Sequence, residues 1–291
     1  VSGSALLATA AAGLALSFAI GYAIARRLDN YGIVDVLWSY AFAAIALLFA
    51  AAGSGGGLRR ALLAGAVTVW SVRLGTHLLV RIARHHPTED GRYQRLRTEW
   101  AQGFAWRMGG FFQLQALSVV FLALPFFWIC RNPAPALHPL EWAGLAVWAL
   151  AIVGEAVADA QLAAFKRGVR PSGTGAGGRG AGTGAGPGSG RPAGAGGDAG
   201  AGPTVCDAGL WRYSRHPNYF FEWLIWVGYA VWACASPWGW TGLLSPASIL
   251  FLLLRVTGIP MTEAQSVRSK GDAYRRYQAR TSAFVPWFPR A

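Results

Sequence analysis

GLWRYSRHPNYFFEW, residues 209–223, joins a glycine-rich tract to a long apolar stretch and brings Arg215, His216, Asn218, Tyr219 and Glu222 close together. The chain around it reads as membrane. Of 291 residues 54% are hydrophobic and 13% charged, with fourteen tryptophans, whereas a soluble domain carries about 25% charged residues. Polar side chains set where a helix enters lipid point to chemistry at that place.

Outward from this block, apolar runs able to cross a hydrocarbon core, which takes roughly 20 residues, fall at 5–24, 33–52, 61–82, 110–130, 140–164, 219–235 and 241–259. These predict an all-α polytopic membrane bundle of seven transmembrane helices forming one domain. The first run has no basic residues before its apolar core and is followed by Arg26 and Arg27, so it reads as a retained helix rather than a secretory signal. Segments after the first, third, fifth and seventh runs carry 20 Lys and Arg, and the opposite side three, Arg59, Arg60 and Arg131. The positive-inside rule then puts the N-terminus outside and the C-terminus in the cytoplasm.

The net charge of +13 sits mainly on one membrane face, where it serves topology and suits an anionic cofactor or anionic headgroups. Nucleic acid is excluded as a partner, because no soluble basic domain exists to hold it. Cys130, Cys206 and Cys234 form no CxxC, which supports neither a disulfide framework nor a metal site. Residues 171–203 hold 15 glycines and little that could be buried, predicting a flexible cytoplasmic insertion. The GxGxxG match at Gly175–Gly180 lacks a preceding strand and a closely following helix, so it is not a Rossmann fingerprint. The segment 84–109 and the tail 260–291 mix Arg with Tyr93, Trp100, Trp106, Tyr274, Tyr277, Phe284, Trp287 and Phe288, a pattern that suits anchoring at headgroup level.

Ionisable residues inside the runs occur in helical register. Arg73, His77 and Arg81 recur at i, i+4 and i+8, one face of a helix that is not a lipid face; Arg81 can snorkel, while Arg73 and His77 suit a cavity. Glu155 and Asp159 lie at i and i+4, followed by Lys166. The two acids need either ion pairs to Arg73, Arg81 or Arg255, or a ligand with donors. Asp35, Trp38 and Ser39 share a face at the start of the second run, where Asp35 is either a helix N-terminal charge favoured by the dipole or, kept protonated by burial, a proton donor.

The GLWRYSRHPNYFFEW block, the span after it and the tail YRRYQARTSAFVPWFP resemble the C-terminal half of the steroid 5-alpha-reductase superfamily, and closely its bacterial membrane relatives. The paired acids and the segments Asp35-Val-Leu-Trp38-Ser39 and Arg73-Leu-Gly-Thr-His77 extend the likeness over most of the chain. Sterol reductases carry a similar block, and membrane isoprenylcysteine methyltransferases a shorter one. The resemblance implies an enzyme of the bacterial inner membrane that binds NADPH from the cytoplasm and reduces a carbon–carbon double bond conjugated to a ketone, in a 3-oxo-4-ene steroid or another lipophilic enone.

Carried over by position, Asn218, Glu222 and Asp159 match cofactor-binding residues. Glu155 stands where steroid reductases have Asn, and Lys166 where they have Arg. Arg215, His216, Tyr219, Lys270 and Tyr277 complete the expected cofactor set, the cations among them holding phosphates. Steroid reductases pair an early acid or amide with a tyrosine in the next helix to grip the ketone. The third run has no tyrosine at a comparable place, so the expected catalytic set is Asp35 with His77 or Arg73, and Trp38 and Trp106 are expected to wall the substrate. No metal is expected, and the protein is expected to be a monomer. A methyltransferase using S-adenosylmethionine and a non-catalytic lipid-binding or transport protein are the rival readings.

Overall fold

A computed structural model describes residues 2–168, 205–256 and 258–290. In chain order it contains α1 (Gly3–Leu28), α2 (Ile33–Ala52), α3 (Gly57–His85), α4 (Gly91–Glu99), α5 (Phe104–Leu122), α6 (Leu124–Arg131), α7 (Pro139–Gly168), α8 (Pro217–Ala233), α9 (Leu244–Phe251) and α10 (Ile259–Arg280). Among the described residues no strand forms, and Ser214 and Ser282 meet in one parallel bridge. The glycine-rich tract 171–203 lies outside the described residues.

Among the described residues, six helical stretches are long and apolar enough to cross a membrane: Gly3–Leu28, Ile33–Ala52, Gly57–His85, Phe104–Arg131, Pro139–Gly168 and Gly239–Arg280. The remaining expected run is α8, whose 17 residues fall short of the roughly 20 that span a hydrocarbon core upright. The fourth run divides into α5 and α6 because Pro125, at the start of α6, has no N–H to continue the ladder. The last run is not one helix either. A 3-10 turn at Gly239–Leu243, α9 and a π turn at Leu252–Val256 precede α10.

The chain divides into two compact units, the first Val1–Val153 with Phe221–Leu253, the second Gly154–Phe220 with Leu254–Ala291. In the first, α2 packs against α1, α3, α5 and α6. Its centre is a group of buried rings in which Trp226 lies 5.2 Å from Phe42 and 5.3 Å from Trp70, centroid to centroid, and Phe126 lies 4.8 Å from Tyr229. Gly144 of α7 and Gly228 of α8 let two backbones touch: a Cβ on Gly144 would come within 2.6 Å of the Trp232 nitrogen. This is the small-residue contact by which helices pack in lipid.

Arg59 and Glu141, each 1% exposed, form an ion pair in this unit. The Arg59 guanidinium donates to both Glu141 oxygens, at 2.5 and 3.0 Å, and to the carbonyls of Asn132, Ala134 and Ala136. Glu141 also accepts from the Trp232 indole at 3.2 Å and the His138 backbone at 2.8 Å. Arg59, which the sequence offers only as a topology charge, is a structural tie.

In the second unit, Trp211 donates its indole N–H to the Ala158 carbonyl at 3.0 Å, and Leu210 donates its backbone N–H to the Gln161 side chain at 2.9 Å. Gly209 permits this approach with φ 60°, where a Cβ would come within 2.5 Å of the Gln161 amide. The C-terminal tail is tied to the same segment: Arg215 N–H donates to Ser282 O at 2.8 Å, and Ser214 Oγ to Phe284 O at 2.7 Å.

Candidate functional site

Two polar clusters carry the residues expected to act, one in each unit. The first is built on Asp35 in the opening turn of α2. Its Oδ1 accepts the phenol hydrogen of Tyr93 at 2.8 Å, and its Oδ2 accepts from Arg92 Nη2 at 2.7 Å. Both donors come from α4, which starts where Asp90 accepts the Arg92 backbone N–H at 3.0 Å. Asp90 also pairs with the Arg92 side chain and with Arg81. Farther along α4, Arg97 pairs with Asp29 and with Glu89, 2.7 Å from each, and Glu89 accepts the Tyr31 backbone N–H at 2.7 Å. Ion pairs and hydrogen bonds thus seat α4 on the α1–α2 turn.

Tyr93 is buried, not at headgroup level as its setting among arginines suggests. Burial and the neighbouring Asp35 charge push its phenol well above the usual tyrosine range, against the lowering pull of Arg92. Burial also works against charge on Arg92, but Asp35, Tyr93 and Asp90 outweigh it and raise its affinity for its proton. For Asp90, burial alone would raise the carboxyl, and the hydrogen bonds and charge of Arg92, with the charge of Arg81, bring it below its ordinary range.

The residues expected as a catalytic set fall in different settings. Asp35 accepts on both oxygens, from Arg92 and from Tyr93, a tyrosine of α4. His77 is exposed on α3, and Arg73 is half-buried there. Trp38 donates to Ser118 Oγ at 2.9 Å and packs edge-on against Phe42 at 4.7 Å, within the helix packing. Trp106 is 71% exposed beneath the Arg107 guanidinium. The acid–base–aromatic run Glu89-Asp90-Gly-Arg92-Tyr93 is the sequence signal that could have singled out Tyr93.

Glu222, also in the first unit, is gripped by indoles. Trp70 Nε1 donates to its Oε2 at 3.0 Å and Trp226 Nε1 to its Oε1 at 3.2 Å.

The second cluster surrounds the Arg215–Tyr219 stretch. Arg215 Nε lies 2.6 Å from Glu263 Oε1, and its Nη1 donates to the carbonyls of Gln278 and Thr281. The His216 ring stacks on Tyr219 at 5.3 Å, with Nε2 3.3 Å from the same Glu263 oxygen, and the Tyr219 hydroxyl is 3.1 Å from Thr262 Oγ1. Tyr277 donates to the carbonyl of Trp211 and lies 3.3 Å from that of Ser214. Arg215, expected as a phosphate ligand, and His216 are thus engaged with α10 and Thr281, while Tyr277, itself on α10, holds the Trp211–Ser214 segment. Glu263, on which Arg215 and His216 converge, escaped sequence reasoning because it lies 47 residues beyond His216 with no local pattern to mark it.

Asn218 Nδ2 lies 3.5 Å from Asp159 Oδ1, a long contact between half-buried groups. Glu155 is buried. Lys166 and Lys270 are exposed and lie within electrostatic reach of each other. Two ammonium groups together with an amide, a carboxylate and a phenol suit a ligand that bears both phosphates and polar hydroxyl or amide groups. No group of three or more His, Cys, Asp or Glu suited to a metal ion occurs among the described residues.

A family model described as a protein of unknown function, DUF1295, matches residues 21–281. An uncharacterized protein of Schizosaccharomyces pombe is 25% identical over 292 residues, covering 94% of this chain and 78% of the relative. No solved structure matches.

Proposed function

The family match spans most of the chain, so the protein belongs to the DUF1295 family, and we propose that it is an NADPH-dependent membrane reductase of a double bond conjugated to a ketone, related to the steroid 5-alpha-reductases. The observation that carries this reading is the hydrogen bond from Tyr93 to Asp35, 2.8 Å long, with Arg92 on the same carboxylate. It is an early acid paired with a tyrosine, the constellation those reductases use on a ketone. Seven spans, α8 being the short one, with the C-terminus in the cytoplasm of a bacterial inner membrane, complete the proposal.

NADPH, when bound, supplies the hydride delivered to the β-carbon of the enone. The protein's own task is to stabilise the negative charge that develops on the ketone oxygen, which requires a donor already in place. Tyr93 turns its hydroxyl hydrogen from Asp35 to that oxygen. Arg92, which stays on the Asp35 carboxylate, offsets the added charge. Water supplies the proton for the α-carbon. In the second unit Lys166 and Lys270 hold phosphate, while Asn218, Asp159, Tyr219 and Glu155 engage the polar remainder. Arg215, His216 and Tyr277 keep that segment in shape. Glu222, in the first unit, has its carboxylate aligned by Trp70 and Trp226.

The test is the loss of NADPH absorbance when a 3-oxo-4-ene steroid, and then other terpenoid enones, are added to the purified protein. Turnover that falls in Tyr93→Phe is the expected result. Tight binding of S-adenosylmethionine with none of NADPH would overturn the reading in favour of a methyltransferase. Binding of lipophilic ligands with no turnover, unchanged in Asp35→Ala, would overturn it in favour of a carrier.

A further inference from the structure

Tyr274, Tyr277 and Phe284, expected as headgroup anchors, are buried in the second unit, but the same tail leaves three large apolar side chains outside. Trp287 is 69% exposed, Phe288 76% and Val285 51%. The backbone carrying them is pinned. Trp287 N–H donates to Tyr213 O at 2.9 Å, Arg290 N–H to Arg280 O at 2.8 Å, and the carbonyl of Phe284 accepts from Ser214. The Phe288 ring meets the Tyr213 ring edge-on at 6.1 Å. A segment held this firmly could have turned its aromatics inward. Instead it presents them with Arg212, Arg276 and Arg290, all exposed, while Arg275 and Arg280 have Asp272 and Asp207 as partners.

We propose that this face of the second unit, made of Tyr213, Val285, Trp287 and Phe288 with Arg212 and Arg290, docks on a bilayer surface rich in anionic headgroups. Three physical points select that occupant. Indole and phenyl rings partition to the headgroup level, where an apolar body and a polar edge are both satisfied. Arginines beside them are attracted to a negative leaflet and, unlike the rings, make the attachment dependent on salt and lipid charge. Six stretches among the described residues before the tail are long and apolar enough to cross a membrane, which tethers the tail to a bilayer and lets it meet the surface at high effective concentration. The docking is independent of the reaction proposed above.

The test uses the full chain in liposomes, with Cys234→Ser to remove the one exposed thiol and Val285→Cys to carry an environment-sensitive fluorophore. In vesicles of phosphatidylcholine with about a third phosphatidylglycerol, the expected result is blue-shifted emission, quenched at least twofold more by lipids brominated on the acyl chain than by aqueous iodide. Added Arg212→Gln and Arg290→Gln should remove the dependence on phosphatidylglycerol, and Trp287→Ser with Phe288→Ser should remove the quenching by brominated lipid. Emission typical of water and quenched by iodide, both in these vesicles and in vesicles of phosphatidylcholine alone, would overturn the proposal. So would a blue shift that disappears when the protein is diluted within the bilayer, which would assign the face to a second copy of the chain.

Discussion

Two ion pairs of the first unit, Arg59–Glu141 and Arg92–Asp35, join the same kinds of group and differ in everything that decides their use. The side chains of the first pair are 1% exposed on both partners, those of the second 43% and 26%. Arg59 has five acceptor contacts, and Glu141 adds an indole and a backbone donor. Nothing there is left to exchange. At Asp35 a guanidinium and a phenol share one carboxylate beside solvent, so a ligand oxygen can replace either contact without stranding a buried charge. Saturation in a dry setting makes a tie, whereas sharing at a partly exposed carboxylate leaves contacts that can exchange.

The sharpest way to break the comparison is to remove one partner of the dry pair. Glu141→Gln or Arg59→Met leaves a buried charge uncompensated and should cost about 3–5 kcal/mol, read as a large fall in thermal midpoint in detergent with no selective change in ligand affinity. Asp35→Asn should be far milder in the same melt, and equal losses would erase the distinction. Next in size is Tyr93→Phe. If the phenol stabilises the reacting oxygen, kcat should drop about 10²–10³-fold, which corresponds to roughly 2.7–4 kcal/mol, while the fold loses only about 1 kcal/mol for one hydrogen bond. A kcat within twofold of the parent protein would remove Tyr93 from the chemistry.

The second unit supplies an intermediate case, since Glu263 is partly buried and accepts from Arg215, His216 and Gln278. Glu263→Gln should weaken charge-assisted contacts worth roughly 1.5–3 kcal/mol and loosen the tail, measured as faster proteolysis after Arg280. The smallest effect concerns pH. Asp90 sits below its ordinary range near 3.8, so its contribution is complete above that range and is lost as pH falls through the lower folded value. Its exposed pairs are worth only about 0.2–1 kcal/mol. Hydrogen exchange across Gly91–Glu99, corrected for intrinsic rate, should therefore accelerate below about pH 4, where the unfolded-state carboxyl begins to protonate, before that of the amides around Arg59 does. Tyr93, raised above its ordinary value of 10.0, gives the opposite limit. Its contribution holds below pH 10 and is lost as pH rises through the folded value.

Helix type and the approximate extent of the early spans were legible because apolar runs report burial or lipid contact one residue at a time. Pro125 and the π turn at Leu252–Val256 divide runs that hydropathy reads as continuous, since hydropathy does not register backbone hydrogen bonding. The registers of Glu155 with Asp159 and of Arg73 with His77 were equally legible. Their burial was not: His77 is exposed and Glu155 buried, although both lie in apolar helices. Tyr93 was misread because an aromatic among arginines looks the same whether it anchors to headgroups or sits under a short helix. The contacts of Arg215 were not legible for a related reason, its partners lying 48 to 66 residues away in α10 and the start of the tail.

By itself the sequence determined that this is a helical membrane chain with a polar block at 209–223, because composition and periodicity are local properties that lipid selects directly. Only the tertiary structure decided which charges are ties and which are available. The same carboxylate, guanidinium or phenol becomes one or the other according to how many partners the fold brings to it and how much water it leaves there.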